Sequence, residues 1–195
     1  MATTTSMASS FTIIRSRINS LLALLSVVIF AVSEVAGEPP SVVPSACNRA
    51  YAISGGSFTE DFCLSTLTDH SVGAADIADL ALFTVDLATA NATATEAKID
   101  AELANGGGGG GALDEGLRSC RALYDAVVRQ YQPECRAAVK DARYGDAKLC
   151  LRRTVQAPAE CERTFEQRNV ASPVTREDDN LAKLANLAIA LSSIS

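Results

Sequence analysis

The sequence has little of what enzyme active sites are built from. It contains one histidine, His70, and no Gly-x-Ser-x-Gly motif, so it offers no support for a Ser-His-Asp or Cys-His catalytic system. His70 lies in a polar connector, which is typical of a solvated loop histidine. None of the six cysteines forms a Cys-x-x-Cys pair, which disfavours a zinc or redox site. We therefore predict no catalytic residue, no metal ion and no cofactor.

Long hydrophobic runs are also lacking. The longest, residues 21–32, has 12 residues, whereas a membrane-spanning helix needs about 20. Two arginines precede this run and small residues follow it. The pattern predicts a secretory signal peptide and cleavage region over residues 1–37, with an N-terminal anchor helix as the alternative. Residues 38–195 are then expected to form one secreted domain.

Basic residues are scarcer than acidic ones. From Glu34 onward, 15 Lys and Arg against 23 Asp and Glu give 15 − 23 = −8. An acidic surface argues against nucleic acid, an anionic membrane or a negatively charged polysaccharide as a direct partner. Proteins and neutral ligands remain open as partners.

Apolar residues recur at helical spacing along most of the chain. In the clearest case they alternate steps of four and three, at Leu113, Leu117, Cys120, Tyr124, Val127 and Tyr131. We predict four long helices, over residues 74–104, 113–140, 146–168 and 175–193. A polar break that contains Gly145 separates the second from the third. Pro133 and Pro158 are expected to kink or interrupt these two helices, and Thr175 is predicted to cap the fourth.

The glycine tract that follows Asn105 separates the first two of these helices. It lacks the Gly-Lys-Ser/Thr ending of a phosphate-binding loop and does not follow a strand. We therefore predict a flexible connector.

In an oxidising compartment the six cysteines predict a disulfide framework, although their number permits many pairings. Cys47 and Cys63 flank a loop with Gly55 and Gly56. This arrangement predicts two short helices closed into a hairpin by one bridge, over residues 38–70. The alternative is that each of these cysteines pairs elsewhere.

The other four cysteines are placed symmetrically about the polar break. Cys120 with Cys161, and Cys135 with Cys150, are nested pairs whose midpoints both lie beside it. Two antiparallel helices joined there permit both bridges. For Cys135 and Cys150, two free buried thiols are the alternative.

These elements predict an all-α protein. We expect an antiparallel up-and-down four-helix bundle over residues 74–195, preceded by the disulfide-closed helical hairpin of residues 38–70. Asn91-Ala92-Thr93, in the first long helix, is an N-glycosylation sequon. A glycan at Asn91 is expected if the side chain faces outward.

Several motifs spread over residues 38–195 resemble those of a known family. They are Cys47 with Cys63-Leu64-x-x-Leu67, Leu117-x-x-Cys120-x-x-Leu123-Tyr124, Ala159-Glu160-Cys161-Glu162-x-x-Phe165, and Val170-x-Ser172-Pro173-Val174-Thr175 followed by Leu184-Ala185-Asn186-Leu187-Ala188-Ile189. Together they resemble the plant invertase and pectin methylesterase inhibitors, especially the invertase-inhibitor-like branch that includes pollen allergens. The resemblance implies a helical hairpin bridged by Cys47 and Cys63, and a four-helix bundle bridged by Cys120 and Cys161.

The resemblance also implies a function. It implies a secreted inhibitor that binds and blocks pectin methylesterase or acid invertase in the plant cell wall, the apoplast. Members that inhibit invertase can carry Pro-Lys-Phe in the turn between the second and third bundle helices, and residues 141–148 lack it. If this turn contacts the target, Arg143, Tyr144 and Lys148 are the candidate contact residues. The alternative function is a secreted helical carrier of a small apolar ligand.

Overall fold

The computed structural model describes residues 42–68, 74–105 and 111–195. Within these segments all regular elements are helical, so the predicted all-α class is confirmed. The predicted signal peptide, His70 and residues 106–110 of the glycine tract lie outside the described residues. No helix in the described segments is both long and apolar enough to cross a membrane.

The helices follow the predicted order with shifted ends. In the described chain they are α1 (Val42–Ile53), α2 (Glu60–Thr68), α3 (Ile77–Asn105), α4 (Ala112–Ala126), α5 (Gln132–Lys140), α6 (Tyr144–Glu166) and α7 (Thr175–Ile194). A π-helical turn, Val127–Tyr131, joins α4 to α5. These two helices and the turn together occupy the range predicted for one helix.

Three prolines are accommodated within helices in different ways. Pro44 lies in the first turn of α1, where its missing N–H needs no helical acceptor. Pro133 follows the π-helical turn, in which the Gln132 N–H donates to the Val127 carbonyl. Pro158 is expected to kink or interrupt its helix, but the interruption does not occur, because α6 continues through it. Pro158 is buried, although it cannot donate a backbone hydrogen bond to the preceding turn.

Two clusters of buried apolar side chains form the core. The first cluster includes Cys47, Phe58, Leu67, Leu80, Val85, Val139, Leu151 and Leu191. The second includes Ala92, Ile99, Leu117, Tyr124, Phe165 and Leu181. α7 packs most extensively against α3 and α6, and α6 also packs against α4 and α5. The α1–α2 pair therefore covers the first cluster, and the long helices share both.

Three disulfides join neighbouring helices. They link Cys47 of α1 to Cys63 of α2, Cys120 of α4 to Cys161 of α6, and Cys135 of α5 to Cys150 of α6, with Cα–Cα distances of 5.6, 4.7 and 5.5 Å. No cysteine is free. α6 is thus cross-linked on both sides of the π-helical turn, which fixes it against α4 and α5.

The α4 backbone approaches α6 closely at Gly116. A Cβ at this position would lie 2.6 and 2.7 Å from two ring carbons of Phe165, which is 1% exposed. Glycine inside a helix costs roughly 1 kcal/mol relative to alanine. Glycine lowers the helix propensity at this position, but it allows the Phe165 ring to pack against the α4 backbone.

Removing the Cys120–Cys161 bridge is expected to destabilise the fold more than removing Cys135–Cys150. The sequence separations of the two bridges are 41 and 15 residues. In the chain-entropy model the stabilisation grows with the logarithm of loop length, which gives a difference of about 0.9 kcal/mol. Urea midpoints of the C120A/C161A and C135A/C150A proteins measure this ranking, and equal midpoints would contradict it.

Gly116→Ala is expected to destabilise the protein by about 1–3 kcal/mol, because the Phe165 ring already fills the space. Gly145→Ala in α6 is the matched control, since a Cβ there meets no atom within 4 Å and alanine favours the helix. Thermal or urea unfolding should give shifts of opposite sign. A Gly116→Ala protein more stable than the wild type would refute the packing argument.

Candidate target-binding surface

The turn between α5 and α6 contains the predicted contact residues. The Arg143 N–H donates to the Ala138 carbonyl (2.8 Å) and the Ala142 N–H to the Val139 carbonyl (3.0 Å), which is the Schellman pattern of a helix end. Ala142 has φ of 54°, in the left-handed region where glycine is usual. The glycine expected in this break, Gly145, lies inside α6 instead. Backbone bonds therefore fix the turn without a glycine.

Arg143 is neutralised within the turn. Its Nη1 lies 2.6 Å from Asp146 Oδ2 and its Nη2 lies 3.4 Å from Asp141 Oδ2. The hydrogen bond to Asp146 is the main cause that raises the pKa of Arg143. The guanidinium is held against the turn, and two carboxylates share its charge.

Two cations just beyond the turn lack such partners. Tyr144, Lys148 and Arg152 are spaced by four along α6 and so share one face. Lys148 and Arg152 form no ion pair or hydrogen bond with any described residue. The adjacent Leu149 is 61% exposed. We call this region the α5–α6 surface, defined by Arg143, Tyr144, Lys148, Leu149, Arg152 and Arg153.

Two open grooves lie beside α6 and meet at Arg153. One has a volume of about 430 Å³ and runs past Glu134 and Leu149, and the other has a volume of about 420 Å³ and runs past Leu123 and Tyr131. The Arg153 guanidinium pairs with the Glu134 carboxylate and lies 4.8 Å from the centre of the Tyr131 ring. These two contacts hold Arg153 in place between the grooves.

The α5–α6 surface combines a protruding apolar side chain with cations, on a chain whose net charge is −6. Such a patch complements an apolar pocket with an acidic rim on a protein partner. Sequence reasoning identified Arg143, Tyr144 and Lys148 but missed Leu149 and Arg152. The sequence does indicate an exposed apolar residue here. Leu149, Cys150 and Leu151 are consecutive, and three consecutive helical residues cannot all face one core.

The predicted glycosylation site lies apart from this surface. Asn91 is in α3 and lines a separate groove together with residues of α2 and α7. The structure therefore brings the three turn residues together but does not add Asn91 to them.

A buried polar network joins α4, α6 and α7 inside the domain. The Tyr124 hydroxyl donates to Asp178 Oδ1. Thr175, predicted to cap α7, instead donates its hydroxyl to Glu162 Oε2 at 3.0 Å, and no side-chain cap precedes the helix. Asp178 Oδ2 and Glu162 Oε1 are both buried, and neither has a further hydrogen-bond donor among the described residues.

A proton on Asp178 completes this network. Two ionised carboxylates only accept hydrogen bonds, so they cannot bond to each other, whereas a protonated Asp178 can donate from Oδ2 to Glu162. Burial first, and the hydrogen bond to Glu162 second, raise the pKa of Asp178 to about 8. Burial also raises the pKa of Tyr124, which keeps its hydroxyl a donor.

The helices and the three bridges define a class of protein, namely a disulfide-linked helical domain. The model of the family described as plant invertase/pectin methylesterase inhibitor matches residues 41–191, and the chain belongs to that family. Members of the family are inhibitors rather than enzymes.

Solved structures agree with this assignment at the level of the fold. A crystal structure of mutant form A of a pectin methylesterase inhibitor from Arabidopsis is similar with a TM-score of 0.63 and 20% identity, over 79% of this chain and 97% of that chain. A crystal structure of a pectin methylesterase inhibitor from Arabidopsis thaliana is similar with a TM-score of 0.56 and 20% identity, over 75% and 95%. No curated protein matches the chain.

The buried carboxyl predicts that stability falls as pH rises. Between about pH 4 and pH 8 the folded state keeps a proton on Asp178 that the unfolded chain has lost. The free energy of unfolding therefore falls by up to about 1.4 kcal/mol for each unit by which the pH rises. Asp178→Asn retains a donor toward Glu162 and should flatten this slope. Urea midpoints at pH 5 and pH 8 measure it, with exposed Asp179→Asn as the control. Equal slopes for wild type and Asp178→Asn would contradict the assignment.

Proposed function

We propose that the chain is secreted into the plant cell wall and inhibits pectin methylesterase or acid invertase by one-to-one binding. The observation that carries this proposal is the family match over residues 41–191. In the same proposal, residues 1–37 are the signal peptide and cleavage region, residues 38–70 form the N-terminal hairpin and residues 74–195 form the bundle.

We also infer an antiparallel up-and-down four-helix bundle made of α3, α4 with α5, α6, and α7. The support is that contacts between adjacent helices run in opposite order along the two partners. Between α3 and α4–α5 these contacts are Asp86–Arg136 and Asp100–Arg121. Between α4–α5 and α6 they are Cys120–Cys161 and Cys135–Cys150. Glu162 and Thr175 join the adjoining ends of α6 and α7. The Asn48 side chain also donates to Glu60, which supports the antiparallel α1–α2 hairpin.

A cross-linked bundle suits an inhibitor because little of it has to become ordered on binding. Ordering a side chain at an interface costs about 0.5–1.5 kcal/mol, so a surface that is already fixed retains more of its contact energy. Arg143 is held by two carboxylates and Arg153 by Glu134 and Tyr131. We infer that Arg143 and Arg153 lie at the edges of the contact with the target enzyme. Lys148 and Arg152 then supply the unpaired positive charge at that contact.

The choice between the two targets depends on which surface makes the contact. The turn of the α5–α6 surface protrudes between two helices, and such a turn can enter a cleft that a helix face cannot. Glycoside hydrolases flank the scissile bond with two carboxylates, which unpaired cations such as Lys148 complement. An invertase would therefore be blocked through this turn, although Pro-Lys-Phe is absent. Pectin methylesterase would instead be covered by a broad contact across helix faces.

Replacing Arg143, Tyr144 and Lys148 by alanine tests this distinction. If acid invertase is the target, the triple variant should lose about 2 kcal/mol or more of binding free energy, roughly thirtyfold in the inhibition constant. If pectin methylesterase is the target, the loss should be small. The measurement is inhibition of both enzymes at mildly acidic pH by protein whose three disulfides have been verified by peptide mapping.

The matched control replaces two exposed arginines and an exposed tyrosine elsewhere, Arg118, Arg176 and Tyr51. This control should leave invertase inhibition unchanged. Failure of correctly bridged wild type to inhibit a panel of both enzymes would refute the inhibitor proposal. A small apolar ligand recovered with the purified protein would then favour the carrier function.

A further inference from the structure

The sequon at Asn91 occupies an unusual position, in the middle of a packed helix. Asn91 is half-buried in α3, which runs from Ile77 to Asn105. It is also the only Asn-x-Ser/Thr sequence in the whole chain. A glycan there would have to leave the protein between helices, so the surroundings of the side chain decide whether it can.

The side-chain amide of Asn91 is oriented for attachment of a sugar. Its Oδ1 is buried and has no hydrogen-bond partner among the described residues. Its Nδ2, the atom to which an N-linked sugar is joined, forms no hydrogen bond with any described residue and is not fully buried. Buried polar atoms are nearly always satisfied, so Oδ1 lacks the partner that such an atom usually has.

The groove in front of this amide has the chemistry of a sugar site. It has a volume of about 460 Å³, within the range of about 300–1,000 Å³ of small-ligand pockets. Phe62 of α2 lines it together with α7 residues of both charge signs and an amide, which are Arg176, Glu177, Asp179, Asn180 and Lys183. An aromatic ring can cover the apolar face of a pyranose, and the polar side chains can bond its hydroxyl and acetamido groups.

We propose that Asn91 carries an N-linked glycan whose first N-acetylglucosamine lies in the groove between α2, α3 and α7. The sugar covers the exposed part of Phe62. This site is separate from the α5–α6 surface and uses none of its residues. It rests on the proposed secretion of the chain, because the modification requires the secretory pathway.

The modification has to precede folding. In the folded domain the Thr93 hydroxyl donates to the Thr89 carbonyl at 2.8 Å, so the sequon is locked in helical geometry with its hydroxyl engaged. The transferring enzyme needs an accessible sequon, which only the newly made chain offers. Protein refolded from a bacterial host therefore lacks the glycan and leaves the groove open.

The first experiment expresses the full chain in a plant secretory host and analyses the protein recovered from the medium. We expect the peptide that contains Asn91 to carry the added mass of a glycan, and enzymatic removal by peptide N-glycosidase to convert Asn91 to Asp. Thr93→Ser should retain the glycan, whereas Thr93→Ala should lose it. Recovery from the medium tests secretion by itself, so secreted wild type without a glycan overturns this proposal and leaves the inhibitor function standing.

The second experiment tests where the sugar lies. In the native protein, peptide N-glycosidase should act severalfold more slowly than on the unfolded chain, because the groove shields the amide. Phe62→Ala and Asn180→Ala should remove much of this protection, while Leu149→Ala, on the α5–α6 surface, should not. Far-UV circular dichroism and urea midpoints identify any variant that has lost its fold. Equal rates of deglycosylation for folded wild type and both groove variants would overturn the placement of the sugar.

Discussion

The packing of α6 against α7 brings the buried carboxyl groups of Asp178 and Glu162 together, and burial raises the pKa of Asp178 to about 8, so this carboxyl favours holding a proton. Without it, two carboxylates would face each other in a site where Asp178 is 2% exposed, and burial of unpaired charge costs several kcal/mol. With it, Asp178 Oδ2 can donate to Glu162, while Asp178 Oδ1 accepts a hydrogen bond from the Tyr124 hydroxyl of α4. The network has members from α4, α6 and α7, and its geometry depends on all three helices.

The α5–α6 surface is carried by a helix that several contacts hold in place. α6 is held to α7 by the network, to α4 by the Cys120–Cys161 bridge and the contact of Phe165 with Gly116, and to α5 by Cys135–Cys150. The α5–α6 surface lies on the helix with the most such restraints. Cross-links and packing thus hold the backbone of this surface against its neighbours, which lowers the ordering cost of any contact made there.

The sequence predicted the helices well because apolar periodicity reports directly on burial. Leu117, Cys120 and Tyr124, three positions of the predicted stripe, are all 1% exposed or less. Prediction from the sequence failed where a tertiary contact overrides the local preference of a residue. Pro158 is buried inside a continuous helix, and the Thr175 hydroxyl bonds Glu162 instead of capping α7. The candidate surface was found only in part, since periodicity identifies the buried face of a helix and says little about which exposed residues are unpaired.

Strongly shifted pKa values often mark active sites, and Asp178 shows how burial can produce one without catalysis. A catalytic acid has to reach substrate, but this carboxyl is buried, with Oδ1 bonded to Tyr124 and Oδ2 enclosed beside Glu162. The shifted pKa of a carboxyl buried in this way therefore reports on packing. On the surface, by contrast, Leu149 is exposed, and Lys148 and Arg152 form no ion pair or hydrogen bond with any described residue. The titratable carboxyl is thus buried, and the unpaired side chains lie on the surface. A protein that occupies an enzyme's cleft without reacting there needs this separation.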